Sequence, residues 1–166
     1  NIKGTFVWKG QNYPLVSGHQ AFTINQQASA GQRKYYVSSS TGDDSNDGLT
    51  PKRAFKTLAK ASQLRLFPGD SLLLRAGDIW LKESLFPVGS GRPENPIVIS
   101  SYGKGARPHI KPGHDAIYGI RIVNDAGYKI KGLEVSDCYG GIVVWEENTY
   151  NHEYIWIEDC YFHDIT

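Results

Sequence analysis

The side chains best suited to chemistry crowd the last third of the chain. Glu146, Glu147, Glu158 and Asp159 form an acidic group, with Arg121, Lys129, Lys131, His152 and His163 as the basic residues around it. Paired carboxylates can divide the roles of acid and of base or nucleophile. A base set beside cations suits proton abstraction next to a carboxylate. Each charged group has a plainer reading as solvated surface, and His152 and His163 as hydrogen-bond partners of turns. Trp145, Trp156 and Tyr139 offer flat aromatic surfaces in the same region, for stacking on a ligand or for local packing. A separate set, Asp43, Asp44, Asn46 and Asp47, supplies hard oxygens of the kind Ca²⁺ takes. That loop lacks the closing glutamate of an EF-hand, and a structural turn is the alternative. A Gly-rich phosphate loop, an HExxH helix, a nucleophile elbow and a paired CxxC are all missing from the sequence.

Positioning these groups falls to a repeat. Ile130, Leu133 and Val135 recur 27 residues later as Ile157, Cys160 and Phe162, and Asp137 recurs as Asp164. Strand-like runs lie between, 141–145 and 154–157. Strands this short cannot bury an apolar face alone, so the period implies stacked coils, a parallel β-helix. If Ile142 and Val144 point inward, Val143 and Trp145 point out. By the same alternation Trp156 and Glu158 face outward. The equivalent positions of Asp137 and Asp164 point to a turn role. Cys138 and Cys160 face one another on adjacent coils or stay reduced.

The totals exclude several classes. Lysine plus arginine number 18 against 17 acidic residues, a net charge of +1, which argues against nucleic acid as a partner. No apolar run is long enough for a membrane span. The 18 glycines, ten tyrosines and four tryptophans fit an all-β, turn-rich fold. Residues 1–34 read as an extended arm or the end of a preceding domain, with strands at 5–8 and 21–24 and breakers at Gly10, Pro14 and Gly18. Residues 35–166 read as the coils, about four of them. Within them the runs KYYVS, SLLLR, PIVIS and GIRIV are strands. Thr50-Pro51 opens an amphipathic helix of about four turns whose apolar face carries Phe55, Leu58, Ser62 and Leu66.

The order YYVSSSTGDDSNDGLTPKRAFKTLAKASQL, PGDSLLLRAG, NPIVISSYGKGARPHI and then the coil pattern resembles the N-terminal portion of secreted right-handed parallel β-helix proteins of the polysaccharide lyase and glycoside hydrolase type. The resemblance, pectate-lyase-like in fold, covers roughly residues 34–166. It implies that the amphipathic helix caps the open end of the coil. It implies a secreted or periplasmic carbohydrate-active protein, cleaving a polysaccharide or oligosaccharide by β-elimination or hydrolysis. A non-catalytic carbohydrate-binding module and an inactive fragment are the alternatives. No family catalytic motif is matched, which leaves Glu146, Glu158, His163, Lys131 and Arg121 as catalytic candidates. Trp145, Trp156 and Tyr139 are the sugar-binding candidates, and Ca²⁺ is the candidate cofactor at the acidic loop. A start at Asn1 and a stop after an open coil lead to the expectation of an incomplete chain. Its open end would be sealed by the missing C-terminal part of the same protein or by a second copy.

Overall fold

The computed structural model describes the backbone of residues 4–8, 11–15, 32–146 and 154–166. The expected strand at 21–24, together with Glu147 and His152, lies outside the described residues. β1 (Gly4–Trp8) and β2 (Gln11–Leu15) pair antiparallel, and Pro14 sits within β2 opposite Thr5 rather than breaking it. A strand that pairs on one side only can hold a proline, because the missing N–H costs no ladder bond.

From residue 34 onward every strand pairing is parallel. One sheet of five strands takes β3 (Lys34–Val37), β4 (Ser71–Arg75), β6 (Ile97–Tyr102), β9 (Tyr128–Lys131) and β12 (Ile155–Glu158) in that spatial order. A second takes β5 (Ile79–Leu81), β7 (His109–Lys111), β10 (Glu134–Cys138) and β13 (Tyr161–Ile165). The third pairs β8 (Tyr118–Val123) with β11 (Gly140–Trp145). From β6 onward the chain visits the three faces in turn and climbs one strand per circuit, and the whole is a right-handed parallel β-helix. The first sheet is five strands deep, one more than the four coils legible in the sequence.

Register lines like residues up through the interior. Tyr35, Leu72, Ile99, Ile130 and Ile157 form one inward row, and Trp80, Ile110, Val135 and Phe162 another. Leu72, Ile99, Ile130, Trp80, Ile110 and Val135 are fully buried. Each contributes about 1.5–3 kcal/mol relative to exposure. The repeat pairs as expected, Ile130 with Ile157 and Val135 with Phe162. Gly132 and Asp159 (φ 69° and 48°) turn the chain between the first and second sheets, and Asp137 and Asp164 (φ 54° and 50°) kink β10 and β13 from within. The paired aspartates therefore sit within strands rather than in turns, at a shared kink that a short polar side chain tolerating positive φ permits.

One further expectation needs correction. The helix of about four turns is absent. In its place stand a 3-10 turn at Pro51–Arg53 and a single α-helical turn, α1 (Leu58–Ala61), capped by the Thr57 side chain accepting from Lys60 N–H at 3.0 Å. Coil pairing overrides helix propensity between them. Phe55 donates its N–H to Tyr36 O and accepts from Ser38 N–H, so it is drawn into the ladder as an added rung beside Val37. Phe55, Leu58, Ala61 and Leu66 are nonetheless buried, so the apolar face is right and its backbone differs. For the cysteines the reduced alternative holds. Cys138 lies opposite Ile165 and Cys160 follows the corner opposite Leu133, so both thiols are free. Burial raises both thiol pKa values.

Candidate functional site

The outward face of the second sheet carries a polar ledge. With Ile110, Val135 and Phe162 turned inward, the alternation along β7, β10 and β13 sends His109 and Lys111, Glu134 and Ser136, and Tyr161 and His163 outward. Three coils stack these side chains into one network. Glu134 Oε1 lies 3.0 Å from His163 Nε2 and 3.5 Å from His109 Nδ1. His109 Nε2 meets Ser136 Oγ at 2.7 Å, and Ser136 Oγ lies 3.3 Å from Asp137 Oδ2. His163 Nδ1 meets Asp164 Oδ2 at 2.8 Å, and the Tyr161 ring stacks on His163 with centroids 4.7 Å apart.

At the end of the ledge Asp137 accepts from Lys111 Nζ at 2.8 Å and lies 3.3 Å from His114 Nε2. The hydrogen bond from Lys111 holds the Asp137 carboxyl below the usual carboxylate range, against the opposing effect of burial. Lys111 is raised in turn by the same bond. The two imidazoles diverge. Burial pushes His109 down, opposed by Glu134, whereas hydrogen bonds to Asp164 and then Glu134 push His163 up. The ledge thus combines a carboxyl group shifted down, one imidazole shifted down and another shifted up. Such divergent environments are what acid–base chemistry requires.

Of the catalytic candidates, His163 alone lies on this ledge. Glu158 and Lys131 stand opposite one another on the first sheet, and Glu158 pairs with Lys129 at 3.0 Å. Arg121 is on the third sheet over the Tyr118 ring, and Glu146 follows β11. The aromatic candidates also separate. Trp145 belongs to the third sheet and Trp156 to the first, where it packs near Tyr154, so the two do not share a face. Tyr139 is exposed at the turn between β10 and β11. In the acidic loop, Asp43 accepts from Ser45, Asp44 from Lys56 and Thr57, and Asp47 from Leu49, while Asn46 donates to Ala54 O. These bonds tie the loop to itself and to the start of α1. Among the described residues, the side chains whose ligand atoms converge as a metal would need are His109, Glu134 and His163.

Sequence reasoning missed His109, Lys111, His114, Glu134, Ser136 and Tyr161. The repeat contained a usable signal: with Phe162 inward, Tyr161 and His163 must face out beside Glu134 and Ser136. His109 had no such signal, because β7 precedes the recognisable repeat.

This fold is that of the glycoside-hydrolase-like right-handed parallel β-helices. No protein-family model matches the chain. Its relatives are particular: 80% of the chain superposes on the GH136 lacto-N-biosidase from Eubacterium ramulus with a TM-score of 0.64, at 25% identity for the selenomethionine derivative and 26% for the native protein. A stretch of 72 residues is 40% identical to a lacto-N-biosidase of Bifidobacterium longum subsp. longum. Another of 71 residues is 32% identical to alpha-1,3-galactosidase A of Akkermansia muciniphila. These stretches cover 42% and 43% of this chain but 4% and 12% of those relatives, and the superposition covers 27% of the E. ramulus chain. The chain therefore spans a small part of each relative's length.

Proposed function

We propose that the chain belongs to a secreted or periplasmic carbohydrate-active enzyme that hydrolyses a glycosidic bond, with the ledge on β7, β10 and β13 as its sugar-contacting face. The observation that carries this reading is the partly buried Asp137–Lys111–His114 and Glu134–His163 network, on the outward side of a fold related to GH136 lacto-N-biosidase. Glycoside hydrolysis asks for two carboxylates. Asp137 and Asp164 occupy equivalent positions on the adjacent strands β10 and β13, the first held by Lys111 and His114 and the second by His163, so these two carboxylates are the pair to test. Tyr161, beside them, is suited to stack on a sugar ring. At the other end of the coil, segment 50–66 acts as the cap, its buried Leu58 and Ala61 covering the first turns. No helix among the described residues is long and apolar enough to cross a membrane.

The names of the relatives choose the assay. The full chain is incubated with a lacto-N-bioside and with an α-1,3-galactoside, and released sugar is quantified by chromatography. Release from either substrate, lost in Asp137→Asn, supports the reading. Glycan binding without cleavage would replace it with a binding module. An unsaturated product from a uronate polymer would replace it with a lyase.

A further inference from the structure

We infer that His109, Glu134 and His163 form a binding site for a divalent transition-metal ion of the Zn²⁺ or Co²⁺ kind. Their ligand atoms lie within 4.8 Å of one another. Bonds of about 2.0–2.2 Å in tetrahedral geometry place neighbouring ligand atoms roughly 3.3–3.5 Å apart. Glu134 Oε1 stands 3.0 Å from His163 Nε2 and 3.5 Å from His109 Nδ1, so an ion fits between them with small side-chain adjustments.

The outer contacts carry the argument further. A ligating histidine commonly has its second ring nitrogen held by a carboxylate or another acceptor, which fixes the ring and its tautomer. Both imidazoles are held in this way. His163 Nδ1 is bound to Asp164 Oδ2 at 2.8 Å, and His109 Nε2 to Ser136 Oγ at 2.7 Å, with Asp137 behind the serine. In each ring the nitrogen facing Glu134 is therefore the one left for a metal. Two imidazoles and one carboxylate select a borderline metal rather than Ca²⁺, which prefers an all-oxygen shell. Three protein ligands leave a fourth position open to water or to a ligand hydroxyl. Metal ligands bind in their deprotonated form, so loading the site releases protons to solvent.

This inference does not rest on the hydrolytic reading, because binding is read without substrate. The full chain is stripped with a chelator and titrated calorimetrically with Zn²⁺, Co²⁺ and Ca²⁺ in two buffers of different ionisation enthalpy. The expected result is one equivalent of Zn²⁺ or Co²⁺ bound with proton release, with visible four-coordinate bands for Co²⁺ and no displacement by Ca²⁺. Glu134→Gln and His163→Ala each remove that equivalent. The exposed Asp164→Asn, which leaves all three ligands in place, weakens affinity about 10–100-fold. Absence of saturable binding, retention of the equivalent in both ligand variants, unchanged affinity in Asp164→Asn, or competition by Ca²⁺ would each overturn the assignment.

Discussion

Replacing Asp70 with alanine is predicted to unfasten the first coil. Asp70 is 1% exposed, and its carboxylate accepts three backbone N–H groups. Oδ1 takes Gln32 at 3.1 Å and Arg33 at 2.9 Å, while Oδ2 takes Phe67 at 2.9 Å. One side chain thus joins the approach to β3, the turn before β4 and β4 itself. A buried donor left without its acceptor costs about 1–3 kcal/mol. Gln32, Arg33 and Phe67 are exposed residues whose N–H groups can recruit water, so the three penalties do not simply add. The expected loss for Asp70→Ala is about 2–4 kcal/mol. Asp70→Asn offers one carbonyl oxygen instead of two acceptors and should lose about half as much. Urea denaturation followed by circular dichroism reads both, and an unchanged m-value confirms that stability alone has moved. A loss below about 0.5 kcal/mol in the alanine variant, the range of ordinary surface substitutions, would refute the reasoning. So would an asparagine variant weaker than alanine.

Other consequences follow from the packing and the ionisation. A Cβ at Gly119 would stand 2.3 Å from Val135 Cγ1 and 2.7 Å from Gly141 O, so Gly119→Ala should lose about 1–3 kcal/mol by overpacking, read as a lower urea midpoint. In chelator-treated protein, NMR titration should place His163 above and His109 below the usual histidine value of about 6.5. The raised His163 stabilises the fold fully below about pH 6.5, and that contribution is lost as pH rises through its folded value. The depressed His109 acts oppositely, its penalty appearing as pH falls below about 6.5. With burial raising both thiols, Cys138 and Cys160 should react slowly with a thiol reagent in the native state and fully in denaturant, with no disulfide on non-reducing mass analysis.

The coils were legible because their physics is local. The alternation of Ile120 and Ile122, the spacing of Val135 and Phe162, and the positive-φ aspartates each leave a mark within one or two turns of chain. Segment 50–66 was misread because Phe55 serves two masters: its spacing fits a helix face, but its backbone completes the ladder beside Val37. The ledge was only partly legible. His163 could be singled out, yet its partners depend on the register of β7 and β10, and no spacing in the sequence reports that His109 stands beside Glu134. Trp145 and Trp156 mislead for the same reason. Alternation correctly turns both outward but says nothing about which of three sheets each occupies.

The most direct test of the ledge as a hydrolytic face is product analysis with the full chain, Asp137→Asn and Asp164→Asn side by side on a lacto-N-bioside and an α-1,3-galactoside. Release of sugar by the parent chain, collapsing in both variants while their circular dichroism and melting remain intact, is the predicted result. Full turnover in either folded variant, or no hydrolysis by the parent chain of any glycoside that it binds, would contradict it.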